Sequence, residues 1–399
     1  MQAQADAAEL KDEVCAAIEA MRGELLAVSR AIHAKPELAF EEREAAAALV
    51  GALRRWGLEV EEGAHGLETA FAAEFGAAGA PCVALLAEYD ALPGIGHACG
   101  HNLIAASALG AALALHALGR RLPGRVRVLG TPAEEHGCGK ELMARRGALE
   151  GVDAALMMHP ASVNLANMPC IAMAELDVVY RGRAAHASAM PERGVNALDA
   201  IVIGYQAMAA LRQHIGRDER VHGIILEGGQ APNVVPERTA GRFYVRAANF
   251  ESLAPLKRRV EACFRAGADA TGCEVEILWG AADYRDIRFN EPLASAFQRN
   301  AEALGRQFLP WDRLPPSIQG STDLGNLSYR VPSIHPMLAA SPIEVTIHNA
   351  EFAKWAGSEL GDAAALDGAK ALAMTAIDWF TDASLRRLSR AAFDAGPPA

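Results

Sequence analysis

The sequence predicts an α/β protein: a mainly parallel sheet with helices on both faces, interrupted by an α+β module of ferredoxin-like kind. Three observations predict it. Short apolar runs alternate with helical segments over residues 82–158, the pattern of parallel strands joined by crossover helices. From about Asn167 the pattern switches to half-buried strands in the order strand-helix-strand-strand-helix-strand. Near Phe289 the first pattern resumes. The expected boundaries are 1–170, 171–285 and 286–399, with the outer two segments forming one domain. A chain of 399 residues is long enough for this.

Residues 5–56 place apolar and charged residues at helical spacing, predicting two amphipathic helices broken near Ala34-Lys35-Pro36. His33 beside the break reads as a surface or supporting histidine. Val60–Glu74 predicts a pair of short strands around Gly63 and Gly66. The run Cys82–Leu86 predicts a buried strand whose end delivers Asp90. A Pro/Gly turn then leads to His97, Cys99 and His101, and Ile104–Leu118 predicts an apolar helix. R-V-R-V-L-G (125–130) predicts a second buried strand, and T-P-A-E-E at its end delivers Glu134 and Glu135. D-A-A-L-M-M (153–158) predicts a third, ending at His159-Pro160. Ligands of such sheets sit outside the carboxyl ends of the strands. Here three successive strands end in groups able to bind metal or carry protons.

In the inserted module, Cys170–Tyr180 alternates as a strand, and R-G-R-A-A-H-A-S with His186 follows as a turn or strand. A helix over 196–213, the strands V-H-G-I-I-L-E and T-A-G-R-F-Y-V-R-A, a helix over 253–270 and the strand C-E-V-E-I-L-W complete it. The returning segment holds a helix over 292–304, S-T-D-L-G-N, a strand over 331–335, the loop T-I-H-N-A-E-F and a helix over 366–380. The tail G-P-P-A is expected to fray.

Composition excludes several classes. The formal charge of −11, with no basic stripe, argues against a nucleic-acid partner. The N-terminal stretch is polar and helix-prone, so no signal peptide is expected. Ile104–Leu118 is too short to span a bilayer and contains His116, so no membrane partner is expected. Seven cysteines at irregular spacing argue against a disulfide framework and for a reducing, cytoplasmic location.

The candidate metal ligands are Cys99, His101, Glu135, His159 and His348. Their S, N and O donors suit Zn²⁺, Mn²⁺ or Co²⁺ better than Ca²⁺ or Mg²⁺. Five protein ligands exceed one tetrahedral site with an open position, so two metals sharing a bridging ligand and a water is the natural reading, with Cys99 placed to bridge. Such a pair clamps an attacking water and the carbonyl it attacks. Adjacent side chains leaving a strand end diverge, so Glu135 is assigned as ligand and Glu134 as general base. Asp90 is either the carboxylate that orients a metal-bound histidine or a turn-forming residue. His186 is either a packed or exposed histidine or a stabiliser of an oxyanion. Asn233 and Arg246 either orient an amide and a carboxylate or serve the module's structure.

At this point the motifs carry a resemblance. E-Y-D-A-L-P-G-I-G-H-A-C-G-H-N-L-I-A, G-T-P-A-E-E, M-M-H-P, A-A-H-A-S-A-M-P-E-R-G-V-N-A-L-D-A, G-G-Q-A-P-N-V-V-P, S-T-D-L-G-N and V-P-S-I-H-P occur in order from residue 88 to about 351. The chain resembles the metal-dependent aminoacylase/carboxypeptidase superfamily of amidohydrolases, in particular its branch of β-alanyl-lysine (Xaa-Arg) dipeptidases and p-aminobenzoyl-glutamate hydrolase subunits. The resemblance implies a zinc-peptidase-like catalytic domain interrupted by a lid that also mediates homodimerisation. It implies the same five ligands and Glu134 as base. It further implies that His186 acts at the active site of the partner subunit, and that Asn233 and Arg246 contact substrate. Glu88 departs from the metal-binding histidine of the His-x-Asp pattern found in many superfamily members, and H-N-A-E-F departs from the commoner H-T/S-P-E-F.

The expected function is hydrolysis of the amide of a small dipeptide or N-acyl or aminoacyl amino acid by a di-metal amidohydrolase. An aryl-amide hydrolase of the p-aminobenzoyl-glutamate type shares every catalytic residue. Two other classes stay open: a thiol hydrolase with Cys99 as nucleophile, and an inactive binding subunit of the same fold.

Overall fold

A computed structural model describes residues 2–310 and 320–396. In chain order it begins with α1 (Gln2–Ala20), α2 (Arg22–Ala34), α3 (Arg43–Arg55), β1 (Val60–Glu62), β2 (Phe71–Gly76), β3 (Cys82–Ala87) and α4 (His101–Ala117). Next come β4 (Arg125–Gly130), α5 (Gly139–Ala144), β5 (Ala154–Leu156), β6 (His159–Ala161) and β7 (Ala172–Arg181). They are followed by α6 (Ala197–Leu211), β8 (Arg220–Glu227), β9 (Arg238–Ala247), α7 (Phe250–Thr271) and β10 (Glu274–Trp279). The chain ends with α8 (Glu291–Ala303), α9 (Leu324–Ser328), β11 (Ser333–Ile334), β12 (Met337–Ala339), α10 (Ala350–Ala356), α11 (Glu359–Thr381) and α12 (Ala383–Ala395). Two compact units result: residues 1–169 with 287–399, and residues 170–286. The last three residues of the predicted frayed tail lie outside the described residues.

The first unit is built on a six-stranded sheet in the order β1-β2-β4-β3-β5-β11. The pairs β4/β3, β3/β5 and β5/β11 are parallel, while β1/β2 and β2/β4 are antiparallel. All six residues of β3 are buried, which is why its sequence is a continuous apolar run rather than an alternating one. The helix that follows is buried from His101 to Leu115. It packs against β3, α2 and α11, so a helix apolar on every side has apolar neighbours all round.

Two expectations need correction. The N-terminal region holds three helices, not two. The extra boundary at Met21 is a kink, since Met21 N–H still reaches Ala17 O (3.0 Å) and Leu25 N–H reaches Met21 O (3.1 Å). A break confined to one residue, with no Pro in it, leaves little in the sequence to reveal it. The third buried strand is shorter than 153–158, and His159 belongs to a separate two-stranded ribbon in which β6 runs parallel to β12.

In the second unit the strands run β10-β7-β9-β8, all antiparallel. Leu176 and Val178 of β7 and Phe243 and Val245 of β9 share a core with Ile201 and Met208 of α6 and Val260 and Phe264 of α7. This is the ferredoxin-like arrangement the alternating strands predict. Among the described residues no helix is long and apolar enough to cross a membrane.

Candidate metal centre

The carboxyl ends of β3 and β4 assemble the site. Beyond β3 the chain delivers Glu88 and Asp90, then turns, with Leu92 N–H on Gly96 O (3.0 Å). Gly100, at φ +81°, separates Cys99 from His101, the first residue of α4. Beyond β4, Thr131 N–H is held by Ala87 O (2.8 Å). Ala133 then adopts φ +60° and donates its N–H to Glu42 Oε1 (2.8 Å). Glu134 and Glu135 follow that turn. His348 precedes α10, also at a positive φ (+61°), and its N–H donates to Ala98 O (2.8 Å). Backbone conformations of this kind are uncommon outside glycine and collect where function over-determines geometry.

These elements bring all five candidate ligands together. Ligand atoms of Cys99, His101 and His159 lie within 4.8 Å of one another, as do those of Cys99, Glu135 and His348. The Cys99 thiol is common to both sets, and its Sγ is 3.3 Å from His159 Nε2. His348 Nε2 lies 3.5 Å from Glu135 Oε2. His101, Glu134 and Glu135 form a further set. The ring orientations are fixed from behind: His101 Nδ1 meets Asp90 Oδ1 at 2.9 Å, and His159 Nδ1 meets Pro160 O at 2.6 Å. Each ring therefore keeps Nε2 for the site. Asp90 Oδ2 accepts Glu135 N–H (2.9 Å). Both oxygens of Asp90 are thus engaged on candidate ligands.

The residues fit divalent ions. Among the described residues, His101 Nε2 and Glu135 Oε1 are buried and have no hydrogen-bond partner. Such atoms are costly unless something else satisfies them. A thiol, imidazoles and carboxylates are the donors that Zn²⁺, Mn²⁺ and Co²⁺ prefer.

The electrostatics of these groups differ. Burial pushes the Glu134 carboxyl well above the usual range, and Glu88, Glu135 and Asp323 push it further. Burial opposes ionisation of Asp90, but the charge and hydrogen bond of His101 outweigh it and hold Asp90 low. Burial lowers His159 to about 4, so its ring is neutral and able to ligate. Burial and the Glu135 charge push the Cys99 thiol well up, the opposite of what an activated nucleophile needs.

Three residues of this region carry no assigned role in the sequence reading: Glu88, Lys140 and Asp323. Lys140 Nζ lies 2.5 Å from Glu88 Oε1 and 2.6 Å from Asp323 Oδ1, and all three side chains are fully buried. The departure at Glu88 and the S-T-D-L-G-N motif carried part of the signal. Nothing marked Lys140, because a lysine reads by default as exposed.

The remaining candidates lie in the second unit. His186 is exposed, and its Nδ1 accepts from Ala189 N–H (3.2 Å), which leaves the proton on Nε2. The backbone of Asn233 pairs with the same loop, with Ala187 N–H on Asn233 O (3.0 Å). Arg246 is on β9, a separate element of the module, with its guanidinium 5.8 Å from the Tyr244 ring centre. His33 is held on Ala353 O (2.6 Å) and stacks on His97, a supporting place.

The family model for peptidase family M20/M25/M40 matches residues 84–373. The chain is 43% identical over 385 residues to the Xaa-Arg dipeptidase of Mus musculus, covering 92% of this chain and 88% of that one. It is 27% identical over 443 residues to a p-aminobenzoyl-glutamate hydrolase subunit of Escherichia coli (strain K12), covering 92% of each. Its fold is similar to that of a Bacillus subtilis dinuclear metal binding peptidase, with TM-score 0.64 and 21% identity, over 90% of this chain and 98% of that one. A family match across most of the length, joined to a relative this similar, places the chain in the M20/M25/M40 family of peptidases as a metal-dependent hydrolase of amide bonds.

Proposed function

We propose that the chain is a di-metal dipeptidase that cleaves the amide bond of a small dipeptide or aminoacyl amino acid with a free carboxylate. The observation that carries this reading is the Cys99 thiol shared by two donor sets, Cys99/His101/His159 and Cys99/Glu135/His348. Each set would hold one divalent ion, Zn²⁺, Mn²⁺ or Co²⁺ by donor chemistry. When bound, the ions supply Lewis-acid activation of water and of the scissile carbonyl.

The chain's own residues do the rest. Glu134 takes a proton from the attacking water and returns it to the departing amine; its raised proton affinity suits both steps. Asp90 fixes the His101 ring. His186, with Nε2–H outward, donates to the developing oxyanion, acting in a dimer on the substrate of the other copy. Asn233 and Arg246 orient the amide and the terminal carboxylate. Dimerisation through the second unit is supported by its edge strand β8, where Ile224 is 61% and Leu226 55% exposed. The odd count of seven cysteines fits a cytoplasmic location.

The more similar relative favours dipeptides with a basic C-terminal residue over the aryl amide of the less similar one. The test is a panel of Xaa-Arg and Xaa-Lys dipeptides, N-acetyl amino acids and p-aminobenzoyl-glutamate, given to metal-stripped protein with Mn²⁺, Zn²⁺ or Co²⁺ restored. Basic dipeptides should turn over fastest, and only after metal is restored. Activity that survives a chelator, or no amide hydrolysis with any metal, would overturn the reading.

A further inference from the structure

Glu88, Glu134 and Asp323 each place a carboxylate oxygen within 4.8 Å of the others. They are 0%, 7% and 0% exposed. Three converging carboxylates in a dry place are a donor set for a divalent cation, and without a positive charge their mutual repulsion is costly. A cation stands among them, the Lys140 ammonium. It sits 2.5 Å from Glu88 Oε1 and 2.6 Å from Asp323 Oδ1 with its own side chain fully buried. Lys140 N–H also donates to Asp323 Oδ2 (2.8 Å), so one residue grips Asp323 by backbone and side chain together. The other oxygen of Glu88 lies 3.4 Å from His101 Nε2, at the border of the Cys99-centred sets.

We propose that Lys140 is the fixed cation of this carboxylate cluster and that it keeps divalent ions out of it, confining them to the two sets that meet at Cys99. An ammonium balances charge through hydrogen bonds but coordinates nothing. Glu88 and Asp323 are thereby held by the ammonium without becoming ligands. Glu134, the third member of the cluster, is spared recruitment by an ion and keeps its oxygens for proton transfer. Lys140 is thus a positioning residue that acts through Glu88, Asp323 and Glu134. The inference rests on the proposed metal pair at Cys99.

The test compares the full-length wild type with Lys140→Met and with Lys140→Met/Asp323→Asn. Bound Mn²⁺ per chain is measured by elemental analysis after equilibrium dialysis, and thermal melting is followed with and without Mn²⁺. Lys140→Met should melt lower than wild type without Mn²⁺, recover when it is added, and hold one more ion per chain. The double variant, short of one carboxylate, should return to the wild-type count. An unchanged count in Lys140→Met, a Lys140→Met protein that Mn²⁺ does not restore, or an extra ion that persists in the double variant would each overturn the proposal. A wild type that binds no ion would fail the metal-pair reading, and is distinguished by being measured separately from the difference between variants.

Discussion

One carboxylate oxygen of Asp90 receives the His101 Nδ1 proton at 2.9 Å while the other receives Glu135 N–H at 2.9 Å. A single buried side chain thus sets the ring of one candidate ligand and the backbone of another. An Asp90→Asn variant cannot accept on both sides, because its NH₂ must face one of two donors. Metal affinity should fall by about 10–100-fold, the usual cost of losing such a partner, with melting little changed once metal is saturating. Calorimetric titration with Mn²⁺ checks it; wild-type affinity would break the link between Asp90 and the ligands.

Cys99 and His348 should differ in the number of ions lost. Cys99 belongs to both donor sets, whereas His348 belongs to one and has a side chain 53% exposed. Cys99→Ala should therefore lose both ions and His348→Ala only one, measured as metal per chain. A Cys99→Ala protein that retains one ion at full occupancy would show that the thiol is not shared.

Glu134→Gln removes the base but leaves Cys99, His101, Glu135, His159 and His348 intact. Turnover should fall by about 10²–10⁴-fold, the range for a lost general base, at unchanged bound metal. Steady-state kinetics beside elemental analysis separate this from simple metal loss, and near-normal turnover would take Glu134 out of the role.

The parts of the site carried by local pattern were legible. The run Cys82–Leu86 read as a buried strand, which placed Asp90 beyond its end. Adjacent Glu134 and Glu135 after Arg125–Gly130 followed by the same logic. What was not legible is what depends on distance in sequence. Lys140 and Asp323 are 183 residues apart yet bonded twice, and neither periodicity nor composition reports such a pair. The kink at Met21 was hidden for the opposite reason: it is confined to one residue between α1 and α2, and no Pro marks it.

Glu42 gives a pH prediction. Its side chain is buried, accepting from Ala133 N–H at Oε1 and from Thr69 Oγ–H at Oε2 (both 2.8 Å). Burial, followed by the charge of Asp90, raises its pKa from 4.5 to about 7. A carboxyl with a raised pKa binds its proton more tightly when folded. Its contribution to stability is full below about 4.5 and is lost as pH rises through about 7. Glu42→Gln keeps both contacts, since the Thr69 hydroxyl can turn to accept. The variant should be more stable than wild type at pH 8 by on the order of 1–3 kcal/mol. The two should converge near pH 4.5, as followed by urea unfolding; parallel curves across that window would assign the pH dependence elsewhere.

Gly100 and Gly94 separate backbone strain from damage to the site. Both have positive φ, +81° and +76°. An added Cβ meets nothing within 4 Å at Gly94, but at Gly100 it comes to 2.6 Å from Pro160 Cγ and 3.2 Å from Phe352 Cε1. Alanine at either position carries the left-handed cost of about 1–2 kcal/mol. At Gly100 the chain must also shift, and it can shift only by moving Cys99 or His101 on one side or Pro160, next to His159, on the other. Gly94→Ala should therefore lower the melting temperature and leave Mn²⁺ affinity intact, while Gly100→Ala should lower both. Equal metal affinity in the two variants would mean that the Cys99–His101 turn tolerates displacement, and that the close packing of Gly100 on Pro160 does not set the positions of the ligands.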